Sequence, residues 1–293
     1  MADLAVNGSN GARRAALVTG CSSGIGLCAA VALAEAGFRV FATMRDPKKR
    51  AALDAAAGVA GVTLDVHALD VRDAARAVEV VALVADSGAN LDLLVNNAGM
   101  GVVGFFEDQS LDEIREQVDT NLIGTLAMMK AVLPGMKARG GGRIVNVTSA
   151  SGIAPSPGAP VYCGVKYAVH GLSESAHIEL APHGVKVILV VPGMHKTEIF
   201  KSNLRVASAL SDPNHPNAGA IERMQGWLQA QLEKHGGDPR AVAAAIVDAA
   251  TARRPKRKYL CGSDAHLVSL LHGLLPQRAF EWSMQKQLGM MTK

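Results

Sequence analysis

Residues 15–27 read AALVTGCSSGIGL, in which an apolar run is followed by a glycine-rich turn and the start of a helical pattern. Gly20, Gly24 and Gly26 give the spacing GxxxGxG, a variant of the GxGxxG fingerprint of dinucleotide sites. Glycines at such a turn let the backbone approach a pyrophosphate, and the helix behind them offers free N–H groups and a positive dipole end. The stretch therefore predicts a strand, a phosphate-binding loop and a helix. A glycine-rich turn without a ligand is the alternative.

Apolar runs of strand length recur along the chain between longer helical patterns. The strand candidates are residues 15–19, 39–43, 63–69, 91–96, 143–148, 186–191 and 258–261. Most are apolar along their whole length, which is typical of strands covered by helices on both faces. Helix caps lie between them, such as Gly37 and the capping box of Ser110 with Glu113. The alternation predicts an α/β fold, a Rossmann-type doubly wound parallel sheet of about seven strands.

The composition of the 293-residue chain limits the class of protein. Hydrophobic residues make up 49% and charged residues 19%, which allows a large core and excludes disorder along the whole chain. The net charge is +4 and the only basic block is residues 253–258, so nucleic-acid binding has little support. Four cysteines without CxxC spacing predict neither a metal site nor a disulfide framework, and no apolar run is long enough to span a membrane. We expect a cytoplasmic protein with a flexible tail over residues 1–13 and a single domain over 14–293.

The end of the second predicted strand bears on the choice of cofactor. An NAD site places an acid there to hold the ribose 2′-hydroxyl, but the chain has Met44 followed by Arg45. A guanidinium is a bidentate partner for a 2′-phosphate, so the sequence predicts NADP(H). In the alternative, Arg45 is an ordinary surface charge and Asp46 holds the ribose.

Tyr162 and Lys166 in YCGVK stand four residues apart, on one face of a predicted helix. A nearby ammonium favours the phenolate, so we expect the pKa of Tyr162 to be lowered toward the range where the phenol exchanges protons. Ser149 ends a predicted strand, and the strand ends of a parallel sheet border the ligand crevice. The spacing of Tyr162 and Lys166 alone is also compatible with an ordinary surface pair.

Several features follow one another along the chain: TGCSSGIG, NNAG at residues 96–99, Asn121, Ser149, Tyr162 with Lys166, and Pro192-Gly193. In this order they resemble the short-chain dehydrogenase/reductase superfamily, in its branch of single-domain subunits with a TGxxxGxG loop, over roughly residues 14–200. The resemblance implies hydride transfer between C4 of a nicotinamide and a carbonyl carbon. It also implies a catalytic tetrad of Asn121, Ser149, Tyr162 and Lys166.

The resemblance assigns each residue a role. Tyr162 would exchange a proton with the substrate oxygen, and Ser149 would hydrogen-bond that oxygen. Lys166 would tune the phenol and hold the nicotinamide ribose, while Asn121 would order a water toward it. The implied cofactor contacts are Gly20, Ser22, Ser23, Gly24, Ile25, Gly26, Arg45, Asp70, Val71, Asn97, Ala98, Gly99, Tyr162, Lys166, Pro192, Gly193 and Thr197. Asp65 competes with Asp70 if the third strand ends earlier, and His195 is a further candidate.

The superfamily places its variable substrate lid at residues 198–238. Six aromatic residues are candidates for lining an apolar cleft or its cover, although packing within the lid explains them equally well: Phe105, Phe106, Phe200, Trp227, Phe280 and Trp282. We expect a lipophilic ketone or secondary alcohol, such as a steroid, retinoid, long-chain or polyketide-like compound. The lid and Arg45 together resemble the hydroxysteroid and retinol dehydrogenase-like group.

Residues 264–293 form a predicted C-terminal helical extension with an apolar face. It could close the cleft, join a partner subunit or rest on a membrane surface. Superfamily members form dimers or tetramers, and we expect a homodimer. Two other functions stay open: a non-catalytic NADP-binding sensor or scaffold, and a redox-neutral epimerase or dehydratase.

Overall fold

The computed structural model describes residues 14–196, 204–212 and 214–287. Within them the strands are β1 (Arg14–Thr19), β2 (Arg39–Met44), β3 (Asp65–Ala68), β4 (Asn90–Asn96), β5 (Gly101–Val103), β6 (Gly142–Val147), β7 (Val185–Pro192), β8 (Leu204–Val206) and β9 (Lys258–Cys261). The helices are α1 (Gly24–Glu35), α2 (Ala51–Ala60), α3 (Ala74–Asp86), α4 (Leu111–Val118), α5 (Gly124–Ala138), α6 (Pro160–Leu180), α7 (Ala218–His235), α8 (Pro239–Thr251), α9 (Ser263–Leu274) and α10 (Gln277–Gln287). The predicted tail over residues 1–13, the predicted contact Thr197 and the aromatic candidate Phe200 lie outside the described residues.

Seven strands form one parallel sheet in the order β3-β2-β1-β4-β6-β7-β9. The chain starts in the middle of the sheet, winds outward in one direction to β3, and then returns to wind outward in the other. The strand order therefore reverses next to β1, where a doubly wound sheet opens a crevice at its carboxyl edge. The predicted α/β, doubly wound, seven-stranded sheet is confirmed.

The core lies on both faces of this sheet. Leu17 and Val18 are adjacent in β1 and both are completely buried, yet they belong to two different apolar clusters. Neighbouring side chains of a strand point to opposite faces, so a strand with helices on both sides has to be apolar at every position. Leu33 of α1 and Ile246 of α8 cover one face, and Val84 of α3 and Met128 of α5 cover the other.

Strands β5 and β8 form a separate two-stranded parallel sheet that the sequence did not predict. Gly101 pairs with Leu204 and Val103 with Val206. Since β5 follows the NNAG segment and β8 belongs to the predicted lid, this pairing brings the lid against the crevice. The rest of the described lid consists of a short 3-10 helix (Ser208–Ser211) and α7.

The C-terminal extension forms the helices α9 and α10, as predicted from its pattern. Leu267, Leu270 and Leu274 on α9 each expose more than half of their surface. Throughout the described ranges, every helix is too short or too polar to cross a membrane.

Candidate active site

A cavity of about 270 Å³ opens at the carboxyl edge of the sheet, next to β1. Most of the residues predicted for cofactor binding and catalysis line it together: Gly20, Ser22, Ser23, Gly24, Ile25, Arg45, Asp70, Val71, Asn97, Ala98, Gly99, Ser149, Tyr162, Lys166, Pro192 and Gly193. Of the remaining predictions, Gly26 and Asn121 lie behind the wall of the cavity. His195, singled out as a further candidate, is in the wall and is 2% exposed.

The glycine loop has the geometry of a phosphate cradle. Gly20 has φ +74° and Gly24 has φ +58°, values that favour glycine. Ser23 caps α1 without a side-chain hydrogen bond, so the first N–H groups of the helix stay open toward the cavity. A Cβ on Gly26 would lie 2.3 Å from the Gly20 carbonyl oxygen. Gly26 therefore lets the helix pack against the loop and does not itself line the cavity.

Two side chains join this loop to the end of β4. Thr19 Oγ1 accepts hydrogen bonds from the N–H groups of Asn97 and Ala98, each at 3.0 Å. Asn97 Nδ2 donates to the carbonyls of Thr19 at 2.9 Å and Gly20 at 3.2 Å. Asn96 instead donates to Asn146 Oδ1 at 2.9 Å inside the sheet. Asn97 thus fixes the loop and Asn96 stabilises the sheet.

The candidates for contact with the 2′-substituent of the cofactor's adenosine ribose take different roles at the end of β2. Met44 is buried, whereas Arg45 is exposed and lines the cavity. Asp46 does not line it, because its carboxylate accepts the Lys48 N–H at 3.0 Å at the start of a short 3-10 helix. This geometry favours Arg45 over Asp46 as the group that meets the ribose substituent.

Asp70, and not its competitor Asp65, reaches the cavity. Asp65 stands at the first position of β3 and pairs with Arg39 at 2.8 Å. Asp70 follows β3, and the Arg72 guanidinium binds both of its oxygens at 2.6–3.1 Å. Hydrogen bonding to Arg72 lowers the pKa of Asp70, and the charge of Arg45 adds to the effect.

The catalytic candidates converge at the other end of the cavity. Tyr162 and Lys166 are one turn apart on α6, and Lys166 Nζ lies 5.6 Å from the centre of the phenol ring. Lys166 is 6% exposed, and its ammonium donates to the Val147 carbonyl at 3.3 Å. Ser149 follows β6, and its hydroxyl oxygen accepts the Ser151 N–H at 3.1 Å. The Ser149 O–H is thereby left to donate to the Tyr162 hydroxyl at the cavity wall.

Burial overturns the expected direction of the Tyr162 pKa. Desolvation raises it to about 12, and a hydrogen bond with Ser149 only partly opposes that rise. Burial also lowers the pKa of Lys166 to about 8. The prediction that Lys166 lowers the pKa of Tyr162 was therefore wrong, because the loss of water around the phenol outweighs the nearby ammonium.

Asn121 is buried one layer behind the cavity wall. It lies in a π-helical turn (Asp119–Ile123) between α4 and α5, a distortion that often marks functional sites. Its side chain accepts the Met100 N–H at 2.9 Å and donates to the Met100 carbonyl at 2.8 Å. A Cβ on Gly99 would lie 2.9 Å from Asn121 Oδ1 and 3.8 Å from Lys166 Nζ, so these two groups face the same small space.

Sequence reasoning missed several residues of the wall. Arg205 of β8 forms an ion pair with Glu116 of α4, and both line the cavity. The other unforeseen members are Met44, Leu69, Met100, Thr120, Val147 and Thr148. Met100, Leu69 and Thr148 are next in sequence to predicted residues, so they could have been predicted as neighbours of the site. The pairing of Arg205 with Glu116 leaves no local trace in the sequence.

The residues present fit a nicotinamide dinucleotide. Gly20 and Gly24 line the phosphate end of the cavity with left-handed φ angles, a cation stands at the 2′-end, and a phenol, a hydroxyl and an ammonium meet at the opposite end. The sequence left open whether the aromatic candidates line the cleft or its cover or pack within the lid. None of Phe105, Phe106, Trp227, Phe280 and Trp282 lines the cavity, and Phe280 packs against His272 within the extension.

Residues 14–206 match the family model of the short chain dehydrogenases. The uncharacterized oxidoreductase YusZ of Bacillus subtilis is 38% identical over 94% of this chain and 99% of its own length. Human retinol dehydrogenase 8 is 37% identical, with 83% and 80% covered. Human 17-beta-hydroxysteroid dehydrogenase type 1 is 34% identical, with 85% and 77% covered.

Solved structures give the same comparison in three dimensions. A short-chain dehydrogenase from Streptomyces avermitilis superimposes with a TM-score of 0.77 at 32% identity, covering 96% of this chain and 98% of the other. A variant of actinorhodin polyketide ketoreductase, solved with NADPH, superimposes with a TM-score of 0.72 at 30% identity, covering 85% and 96%.

Proposed function

The chain belongs to the short-chain dehydrogenase/reductase superfamily and is an oxidoreductase that acts on alcohol and carbonyl groups, and from this premise we propose that it uses NADPH to reduce a lipophilic ketone. The observation that carries the proposal is the meeting of Ser149, Tyr162 and Lys166 at one end of a cavity whose other end holds Arg45. The fully assembled set of residues argues against a non-catalytic sensor or scaffold.

Several residues would hold the cofactor. The open N–H groups of α1 and the loop from Gly20 to Gly24 would bind the diphosphate. Arg45 would pair with the 2′-phosphate, because its guanidinium is exposed at the cavity while Asp46 is engaged as a helix cap. The NADPH in the ketoreductase structure supports the same choice by similarity.

A bound dinucleotide would supply the hydride. The residues of the chain supply the proton and hold the oxygen. Ser149, whose hydroxyl meets that of Tyr162, would turn its O–H to the carbonyl oxygen, an interaction that strengthens as negative charge develops on that oxygen. The Tyr162 phenol, whose pKa is about 12, keeps its proton at neutral pH and gives it to the more basic alkoxide. Lys166, whose pKa is about 8, is then placed to return a proton toward the phenolate.

Aliphatic side chains of the lid that pack near Tyr162, outside the lining of the cavity, support a lipophilic substrate. The position of a Cβ on Gly101 lies 2.9 Å from Leu204 Cδ1 and 3.3 Å from Tyr162 Cδ2, so the lid leucine and the phenol ring border the same space. Met224 of α7 packs onto Gly158, shortly before Tyr162 in the chain. The retinol and hydroxysteroid dehydrogenases among the relatives support the same substrate class by similarity. The homodimer and the cytoplasmic location stay predictions.

The test is a carbonyl panel that runs from small polar ketones to steroidal ketones and retinal, with NADPH oxidation followed at its absorbance band. We expect turnover of the bulky apolar members and at least a hundredfold loss of kcat in Tyr162→Phe, with NADPH binding retained. Arg45→Ala should raise the KM for NADPH far more than that for NADH. Turnover of small polar ketones alone would contradict the substrate class. Undiminished turnover in Tyr162→Phe would contradict the role of the phenol.

A further inference from the structure

The loop after β7 packs against the first turn of α9, where the C-terminal extension begins. The Met194 N–H donates to Asp264 Oδ2 at 2.6 Å. Pro192 pairs with Cys261 across β7 and β9, and the Gly193 N–H donates to the Cys261 carbonyl at 2.8 Å. The register of the two last strands therefore places a carboxylate from the extension at the edge of the cavity.

Two glycines make room for this carboxylate. A Cβ on Gly193 would lie 2.1 Å from Asp264 Oδ1, and a Cβ on Gly262 would lie 2.5 Å from the same atom. Gly262 also has φ +100°, which disfavours any other residue. A side chain at either position would displace Asp264. The carboxylate thus gives a steric reason for the glycine at position 193, beside any contact of that residue with a ligand.

The end of the lid helix holds the same loop from the other side. The Gly237 N–H donates to the Met194 carbonyl and the Lys196 N–H to the Gly237 carbonyl, each at 2.9 Å. The His195 ring fills the place of a Cβ on Gly237, within 2.8 Å. Since Gly193 and His195 line the cavity, a shift of this loop would change the shape of the cavity wall.

We propose that Asp264 is a positioning residue for the cofactor, a role that rests on the proposed function. By accepting the Met194 N–H it fixes the peptide between Gly193 and Met194, and with it the wall that would receive the nicotinamide end. Asp264 acts through the loop and not by touching the cofactor. The first turn of the C-terminal extension then supports the cofactor site from behind its wall.

The experiment measures NADPH affinity by fluorescence titration of the full-length protein and three variants. Asp264→Ala removes the acceptor, Asp264→Asn keeps an acceptor oxygen, and Asp73→Ala is the matched control. Asp73 accepts the Arg76 N–H at 2.9 Å in the first turn of α3, so this control loses an equivalent bond elsewhere. Asp264→Ala should raise the Kd and the KM for NADPH about tenfold, with kcat within about threefold of wild type. Asp264→Asn should recover most of the affinity, and Asp73→Ala should bind NADPH like wild type.

A second readout needs no cofactor. In Asp264→Ala the Met194 amide should lose hydrogen-exchange protection, and in Asp73→Ala it should keep it. An unchanged Kd in Asp264→Ala, or an equal rise in Asp73→Ala, would overturn the inference and leave the proposed function intact. A wild-type protein that binds neither NADPH nor NADH would overturn both. If Asp264→Ala does not fold, a wild-type-like Kd in Asp264→Asn supports the acceptor role, and a tenfold weaker one overturns it.

Discussion

The ammonium of Lys166 is held in a place that disfavours its charge. The side chain is 6% exposed and its nitrogen reaches the Val147 carbonyl at 3.3 Å, which replaces only part of a hydration shell. Burial accordingly lowers the pKa to about 8. The fold retains a group that costs stability, which is common where a side chain serves chemistry and not packing.

We expect Lys166→Met to stabilise the protein at neutral pH while removing activity. An unfolded lysine titrates near 10.4 and the folded one near 8, so between these values the unfolded state binds a proton that the folded state lacks. The free energy of unfolding of the wild type therefore rises with pH across this window. The full destabilisation by the buried charge is present below about pH 8. Methionine keeps the volume without the charge, so the variant should gain on the order of 3 kcal/mol at pH 7.

Urea unfolding of both proteins at pH 7 and pH 10 measures this difference. The advantage of the variant should shrink as the pH rises toward 10. A difference that does not depend on pH would mean that packing, and not the buried charge, separates the two proteins.

The residues that could be predicted are those whose signal is local. Tyr162 with Lys166, the glycines of the first loop and Ser149 are recognisable from spacing and from the strand ends that precede them. The direction of the Tyr162 pKa could not be predicted, because it depends on how much water the folded cleft removes from the phenol. The partner of Glu116 was invisible for a similar reason: Arg205 is 89 residues away in the sequence.

At the scale of elements, long apolar runs gave reliable predictions and short strands did not. The strands β1, β2, β4, β6 and β7 are largely buried, so each leaves an apolar run in the sequence, whereas the edge strands β3 and β9 are only partly buried. Strands β5 and β8 have three residues each and pair only with each other. Three residues are too few to show a period, and β8 is half exposed. The π-helical turn at Asn121 was hidden as well, because α4 and α5 are continuous in pattern across it.

Two helical glycines are expected to have opposite effects on the stability of the fold. A Cβ on Gly26 in α1 would lie 2.3 Å from the Gly20 carbonyl oxygen and 2.4 Å from Asn97 Nδ2, whereas one on Gly226 in α7 would meet nothing within 4 Å. We expect Gly26→Ala to lose roughly 3 kcal/mol or more, since a backbone atom has to move. Gly226→Ala should gain about 0.5–1 kcal/mol from helix propensity. Chemical denaturation of the pair measures both, and equal effects would contradict the packing role of Gly26.

The Arg205–Glu116 pair ties the lid strand to α4 across the cavity. Glu116 also lies 4.0 Å from Arg72, the partner of Asp70, so charged side chains follow one edge of the cleft. We expect Arg205→Ala to speed NADPH dissociation about threefold, the size expected for a partly exposed ion pair. Stopped-flow dissociation measures the rate, and 1 M salt should bring the wild type toward the variant. Arg115→Ala, which breaks an exposed pair with Asp112 on α4, is the control and should have no effect.

At the scale of the whole molecule, the cavity is built from segments that span most of the chain. Its wall runs from Gly20 in the first loop to Arg205 in the lid, and the Thr19–Asn97 hydrogen bonds join the two halves of the sheet. A ligand in this cavity contacts both halves at once. Its binding energy should therefore stabilise the molecule as one cooperative unit, which is what a single domain over residues 14–293 requires.

Thermal unfolding with and without cofactor tests whether the chain unfolds as one cooperative unit. At a hundredfold excess over its Kd, NADPH should add about 2.7 kcal/mol, which is a rise of roughly 4 °C in Tm for a chain of this size. The same concentration of NADH should give a smaller rise, and in Arg45→Ala the two rises should become equal, because the guanidinium is the group that meets the 2′-phosphate. Calorimetry should show one transition that moves as a whole. Two transitions, of which NADPH shifts only one, would mean that the lid and extension unfold apart from the sheet and would contradict the single domain.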